Sequence, residues 1–133
     1  MFKLERDKAK YVQLEMNGEI LNISVGGVKQ LQDFVHAQER LVEVQKKVDA
    51  LQVSDKHLPT ELLELLGNTI IYVFEVAFGK ANTKKICEFF EDNYDEMLLQ
   101  IMPFIQNEYV PKLRESARIE SRRRANQLTD VPS

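Results

Sequence analysis

The side chains able to do chemistry are few and scattered. The two histidines are His36 and His57, and the single cysteine is Cys87. Asp33 precedes His36 by three residues, which sets a carboxylate and an imidazole on one helical face; without a second ligand pair this spacing describes a surface contact better than half of a site. Cys87 sits between Ile86 and Phe89-Phe90, the setting of a small buried hydrophobe and not of a nucleophile. Gly26-Gly27 has neither the following Lys-Ser/Thr nor the glycine spacing of a phosphate loop. The acids around Glu88, Glu91, Asp92, Asp95 and Glu96 do not follow the ligand order of a calcium loop. No catalytic residue, cofactor or metal is therefore expected, and the functional class to look for is a binding protein.

Charge is the more informative chemistry. Residues 88–108 contain six acids and no Lys or Arg, whereas residues 112–133 carry six basic residues against three acids, within a chain of net charge −3. This dipolar C-terminal third offers an acidic face and a basic end at Arg118, Arg122, Arg123 and Arg124. A basic helix end can contact phosphates, but a pI near 5.5, the dilution by Glu115 and Glu120 and the lack of interleaved aromatics argue against nucleic acid. The complementary faces instead suggest head-to-tail docking of copies into rings or spirals. A monomer by light scattering at low and high salt alike would exclude it.

The elements that must position these residues are legible. Asn17-Gly18 separates two alternating runs, 11–16 and 19–25, and is the strongest short signal for a hairpin, because a type I′ turn needs positive φ at both central residues. A two-residue loop sets Leu14 opposite Leu21, Val12 opposite Ile23 and Gln13 opposite Asn22. The resulting apolar face must pack on helices or join a neighbouring chain, since two strands alone are marginal. Phe2 and Leu4 could extend the first strand or cover the ribbon.

Beyond Gly27 the chain reads as helix: a mainly α protein with an N-terminal β-hairpin (10–25) and helices at 28–52, 60–78, 83–91, 95–108 and 111–124. Phe34, Ala37, Leu41, Val44, Val48 and Leu51 form a seam of fewer than three heptads, which favours packing on the chain's own core over an intermolecular coiled coil. The second helix, with Pro59 in its first turn, is apolar on almost every side and should be central; Gly67 within it implies either close approach of a neighbouring backbone, the favoured reading, or a break near Gly67-Asn68. Gly79 should end it, Asn82 or Thr83 should cap the next helix, and Asn93 should punctuate. Pro103 implies a kink or a new start, and Pro111 the beginning of the last helix. One domain, 1–126, is expected, with a frayed tail at 127–133.

At 133 residues the chain can bury a core without staples, and a lone cysteine fits a reducing compartment. The start lacks the apolar stretch of a signal peptide, and the longest apolar run, 69–78, is too short to span a bilayer.

In order, the hairpin YVQLEMNGEILNISV, the helix QLQDFVHAQERLVEVQ, the LLELLGNTI core helix, the AFGKANTKKICEFFEDNYDEMLLQIMPFI unit and the basic end SARIESRRRANQ resemble tail assembly chaperones of long-tailed bacteriophages. The resemblance implies a non-enzymatic protein of the infected bacterium's cytoplasm. It would bind and solubilise the tape measure protein and help recruit tail tube subunits. Alternatives are another phage structural component, such as a head-tail connector or minor tail protein, or a nucleic-acid-binding regulator using the arginine end. No family motif fixes contact residues. From the chain itself the candidates are the ribbon (Val12, Leu14, Leu21, Ile23), the seam (Phe34, Leu41, Val48), the acids Glu88, Glu91, Asp92, Asp95 and Glu96, and Arg118, Arg122, Arg123 and Arg124.

Overall fold

The computed structural model describes residues 1–3, 10–54 and 57–129. Strands β1 (Lys10–Met16) and β2 (Glu19–Val25) pair antiparallel across the Asn17-Gly18 turn, where φ is 47° and 85°. The register is the expected one, with Val12 opposite Ile23, Gln13 opposite Asn22 and Leu14 opposite Leu21. Gln13 Nε2 donates to Asn22 Oδ1 at 2.9 Å on the outer face. The inner face buries Met16, Leu21, Ile23 and Val25 against the helices, with Val12 and Leu14 half-buried at its margin. The ribbon thus packs on its own domain. Phe2 is exposed and outside the strand, and Leu4 lies outside the described residues.

Helix α1 (Gly27–Val53) buries Phe34, Ala37, Leu41, Val44 and Val48 in the core, with Leu51 half-buried. The seam therefore belongs to this chain's interior, where each large apolar side chain stabilises the fold by about 1.5–3 kcal/mol. Helix α2 (Thr60–Phe78) follows, with Pro59 one position before its start; the Pro59 carbonyl accepts from the Leu62 and Leu63 N–H groups. It is the central helix, packed against α1 and β2 and against the two helical elements that follow it. Its helical path is unbroken at Gly67, and what comes close there is the Tyr94 ring and not a backbone: a Cβ on Gly67 would stand 2.9 Å from Tyr94 Cδ2.

Gly79, at φ 83°, ends α2 and at once begins α3 (Lys80–Phe89), three residues before the expected start at 83. Asn82 and Thr83 are consequently not N-caps. Thr83 Oγ1 donates to the Gly79 carbonyl at 2.7 Å, and Asn82 Nδ2 donates to Phe78 at 3.0 Å, satisfying carbonyls at the sharp α2–α3 turn. Helix α3 stops at Phe89, and Glu91 and Asp92 take left-handed conformations with φ 51° and 59°. The Asp92 N–H reaches back to the Cys87 carbonyl at 2.9 Å, a closure of the Schellman kind. Asn93 then caps α4 (Tyr94–Phe104), its Oδ1 accepting from the Glu96 N–H at 3.2 Å.

The largest departure from expectation is the join of the last two helices. In place of a break between 108 and 111, a π-helical turn, Ile105–Tyr109, passes directly into α5 (Val110–Thr129). The Val110 N–H bonds to the Ile105 carbonyl, five residues back, immediately before Pro111, which has no N–H to give. Widening the turn carries the chain through the proline without a stop and brings both Ile105 and Tyr109 into the core. Pro103 stands inside α4 and does not start a new helix. Helix also continues to Thr129, five residues past the expected end at 124; of the tail expected at 127–133, residues 130–133 lie outside the described residues. No described helix is long and apolar enough to cross a membrane.

Candidate functional site

At the junction of hairpin and helix, the N-terminus of α1 is closed by α5. Gly26, its N-cap, offers no side chain, so the Gly27 N–H donates to Ser116 Oγ at 3.2 Å and the Val28 N–H to Glu120 Oε2 at 2.9 Å. Arg124 Nη2 holds the other oxygen of Glu120 at 2.8 Å. Gln30 completes the junction: its Oε1 accepts from the Gly26 N–H at 2.8 Å, and its Nε2 donates to the Ser24 carbonyl at 3.1 Å and to the Tyr109 hydroxyl at 3.0 Å. The Tyr109 ring lies edge-on to Phe34 and Phe78, with centroids 5.2 and 5.6 Å away. Burial pushes its phenol up to about 12, with the hydrogen bond from Gln30 acting the other way. Every group in this cluster has a partner within the chain, and its work is to fix α1, α5 and the hairpin to one another.

Two surfaces stand out among the described residues. Between α1 and α4 lies a groove of about 580 Å³ lined by Val35, Leu41 and Val42, with Met102 from the other wall and Gln38, Glu39 and Glu43 along its rim. Val35 and Val42 are 39% and 51% exposed despite their apolar side chains, and Leu99, one turn before Met102, is 76% exposed. Stripes of this kind, seven residues apart on one helix, receive the apolar face of another helix. Val35 and Val42 lie off the heptad seam, so attention to the seam passes over them; their own i, i+7 spacing is the signal that marks a second apolar stripe.

The second surface is charged. Glu88, Glu91, Asp92, Asp95 and Glu96 are all exposed, in and on either side of the tight α3–α4 turn. Arg118, Arg122, Arg123 and Arg124 are exposed along α5, and Arg124 is engaged by Glu120. The apolar candidates divide differently. Leu21, Ile23, Phe34, Leu41 and Val48 are core residues, of which Leu41 also forms part of the groove lining, and Val12 and Leu14 are half-covered at the ribbon's margin.

The chemically capable side chains are dispersed. His36 and His57 are exposed, and Asp33 pairs with Lys29 at 3.0 Å. Cys87 is half-buried with its Sγ 3.9 Å from Met97 Sδ; burial first, then the carboxylates of Asp92, Glu75 and Glu88, hold its thiol above the ordinary value and so in the unreactive form. Among the described residues no three or more His, Cys, Asp or Glu side chains are grouped to hold a metal ion. No protein-family model matches the chain, and neither a curated protein nor a solved structure matches it.

Proposed function

We propose that this protein is a tail assembly chaperone of a long-tailed bacteriophage, a non-enzymatic protein of the bacterial cytoplasm that covers apolar helical stretches of the tape measure protein and helps recruit tail tube subunits. The observation that carries the reading is the α1–α4 groove. Val35, Leu41, Val42 and Met102 form an apolar trough, and the acids Glu39 and Glu43 on its rim favour a helix with basic flanks. A long helical client that would aggregate alone presents that kind of face repeatedly.

Co-expression with a candidate tape measure protein tests this. The expected result is a soluble complex that copurifies, and its loss in the double variant Val35→Asp/Val42→Asp, which alters exposed positions outside the core seam. A client that remains insoluble beside the wild-type protein, or a complex indifferent to the double variant, overturns the reading. Persistence of the protein in finished particles would instead mark a connector or minor tail component.

A second reading, a nucleic-acid-binding regulator, draws on the exposed arginines of α5, where Arg118 and Arg122 stand one turn apart. It requires duplex binding that falls with salt and is lost when Arg122, Arg123 and Arg124 are neutralised.

A further inference from the structure

The two edges of the hairpin are treated differently. In an antiparallel pair closed by a two-residue turn, Met16 and Glu19 exchange hydrogen bonds, and so do Leu14 with Leu21 and Val12 with Ile23; the N–H and C=O groups of the intervening residues point outward. On β2 two of the three outward carbonyls, those of Asn22 and Ser24, are met by the chain itself. Asn82 Nδ2 donates to Asn22 at 3.1 Å, Gln30 Nε2 donates to Ser24 at 3.1 Å, and Lys85 pairs with Glu19 at 3.0 Å beside them. On β1 the outward groups belong to Tyr11, Gln13 and Glu15, and among the described residues nothing bonds to them. The same asymmetry is visible in the side chains of the inner face. Leu21 and Ile23 on β2 are fully buried, whereas Val12 and Leu14 on β1 are only half covered.

The geometry points to the β1 edge as an interface with a second copy of this chain, joined antiparallel about Gln13 to give a continuous sheet in the order β2-β1-β1-β2. The sequence of β1 is self-complementary in that register. Gln13 faces Gln13 of the other copy, and Tyr11 faces Glu15 in both directions, so the outward N–H and C=O groups of all three residues are paired. On the inner face Val12 meets Leu14 and Leu14 meets Val12, extending the apolar surface that each protomer leaves half open. On the outer face the Tyr11 hydroxyl can donate to the Glu15 carboxylate opposite. A register centred on Glu15 would oppose two like charges, and one centred on Tyr11 would pair less of the strand, so the alignment is selected by both charge and length. The pairing is two-fold and closed, which distinguishes it from a head-to-tail chain of charge contacts. A single strand edge buries less than a standard interface, so the association should be weak and concentration-dependent.

The test is sedimentation equilibrium of the full chain over a wide concentration range at low and high salt. The wild-type protein should form a dimer, and no larger species, that persists in high salt. Gln13→Pro should be monomeric throughout, because it removes the central outward N–H at an edge position where proline leaves the β1–β2 bonds intact. Gln13→Lys provides the same readout without backbone change: it sets two like charges face to face, and should weaken the dimer at least tenfold while circular dichroism and the unfolding transition remain those of a folded protein. A wild-type protein that stays monomeric at all concentrations overturns the proposal. So does a dimer that both Gln13 variants keep, or one that dissolves in salt, which belongs to the acidic and basic faces instead. None of these outcomes depends on the tape measure protein.

Discussion

The Val28 backbone N–H donates to Glu120 Oε2 at 2.9 Å across 92 residues of sequence, so that a side chain of the last helix caps the first. The first helix has no side-chain cap of its own and no acid in its first turn. Glu120 therefore supplies both the missing acceptor and the negative charge that a helix N-terminus favours.

Glu120→Ala should consequently destabilise the protein by about 1–2 kcal/mol, with Glu120→Gln costing less because an amide oxygen can still accept. Urea unfolding monitored at 222 nm would read both. Gly27→Ala should cost a similar amount, since Gly27 has φ 87° and its Cβ would stand 2.5 Å from Glu120 Oε2. If Glu120→Ala proves neutral, water serves the Val28 N–H equally well and the cap contributes nothing to folding.

Gly67→Ala sets helix propensity against packing. Propensity alone favours alanine by about 1 kcal/mol. The new methyl, however, would lie 2.9 Å from Cδ2 of the half-buried Tyr94 ring, and the Asn93 cap ties Tyr94 to its place at the start of α4. The substitution should lower stability by about 1–3 kcal/mol. Combining it with Tyr94→Ala should cost less than the two single changes together, as a double-mutant cycle would show.

Alkaline pH should destabilise the protein through Tyr109. Its phenol is raised from 10.0 to about 12, so the folded state resists ionisation while the unfolded chain loses its proton near 10. The stabilisation is fully present below pH 10 and disappears as pH rises towards 12, a change of about 2–3 kcal/mol. In Tyr109→Phe this part of the pH dependence should be absent. That variant should also start from a lower stability at neutral pH, because Gln30 loses the hydroxyl that accepts from its Nε2. Urea midpoints measured from pH 8 upward would compare the two proteins.

Glu91→Gly should stabilise the turn after α3. Glu91 has a left-handed backbone at φ 51° and an exposed side chain in an acidic neighbourhood, so glycine relieves strain and removes a repelled charge together. The expected gain is about 0.5–1 kcal/mol, offset in part by glycine's greater freedom in the unfolded chain. A thermal midpoint that falls in the variant would mean that the Glu91 side chain makes a favourable contribution of its own.

Much of the architecture is decided by neighbours in the chain. The Asn17-Gly18 turn fixes its own backbone sign and with it the whole strand register, down to the Gln13–Asn22 pair. The spacing of Phe34, Leu41 and Val48 defines the buried face of α1 without reference to what covers it, and the apolar density of α2 marks it as central. Even the close approach at Gly67 is readable, because a glycine in so apolar a helix needs a packing reason. These features depend on turn chemistry and periodicity over a few residues, which are written locally.

Tertiary structure decided the remainder. Pro103 and Pro111 suggest interruptions, yet the burial of Ile105 and the long-range packing of Tyr109 against Phe34 and Phe78 outweigh the lost backbone bond and draw the chain through a π turn. Asn82 and Thr83 carry the chemistry of caps, but the turn at Gly79 gives them nearer carbonyls to satisfy. Which apolar side chains are left over is likewise a collective outcome. Val35 and Val42 stay exposed while the equally apolar Val44 and Val48 are buried, because only the angular positions that face α2 and α5 find partners. Local sequence sets the faces each element offers; the packing of distant elements selects which are consumed and which remain exposed.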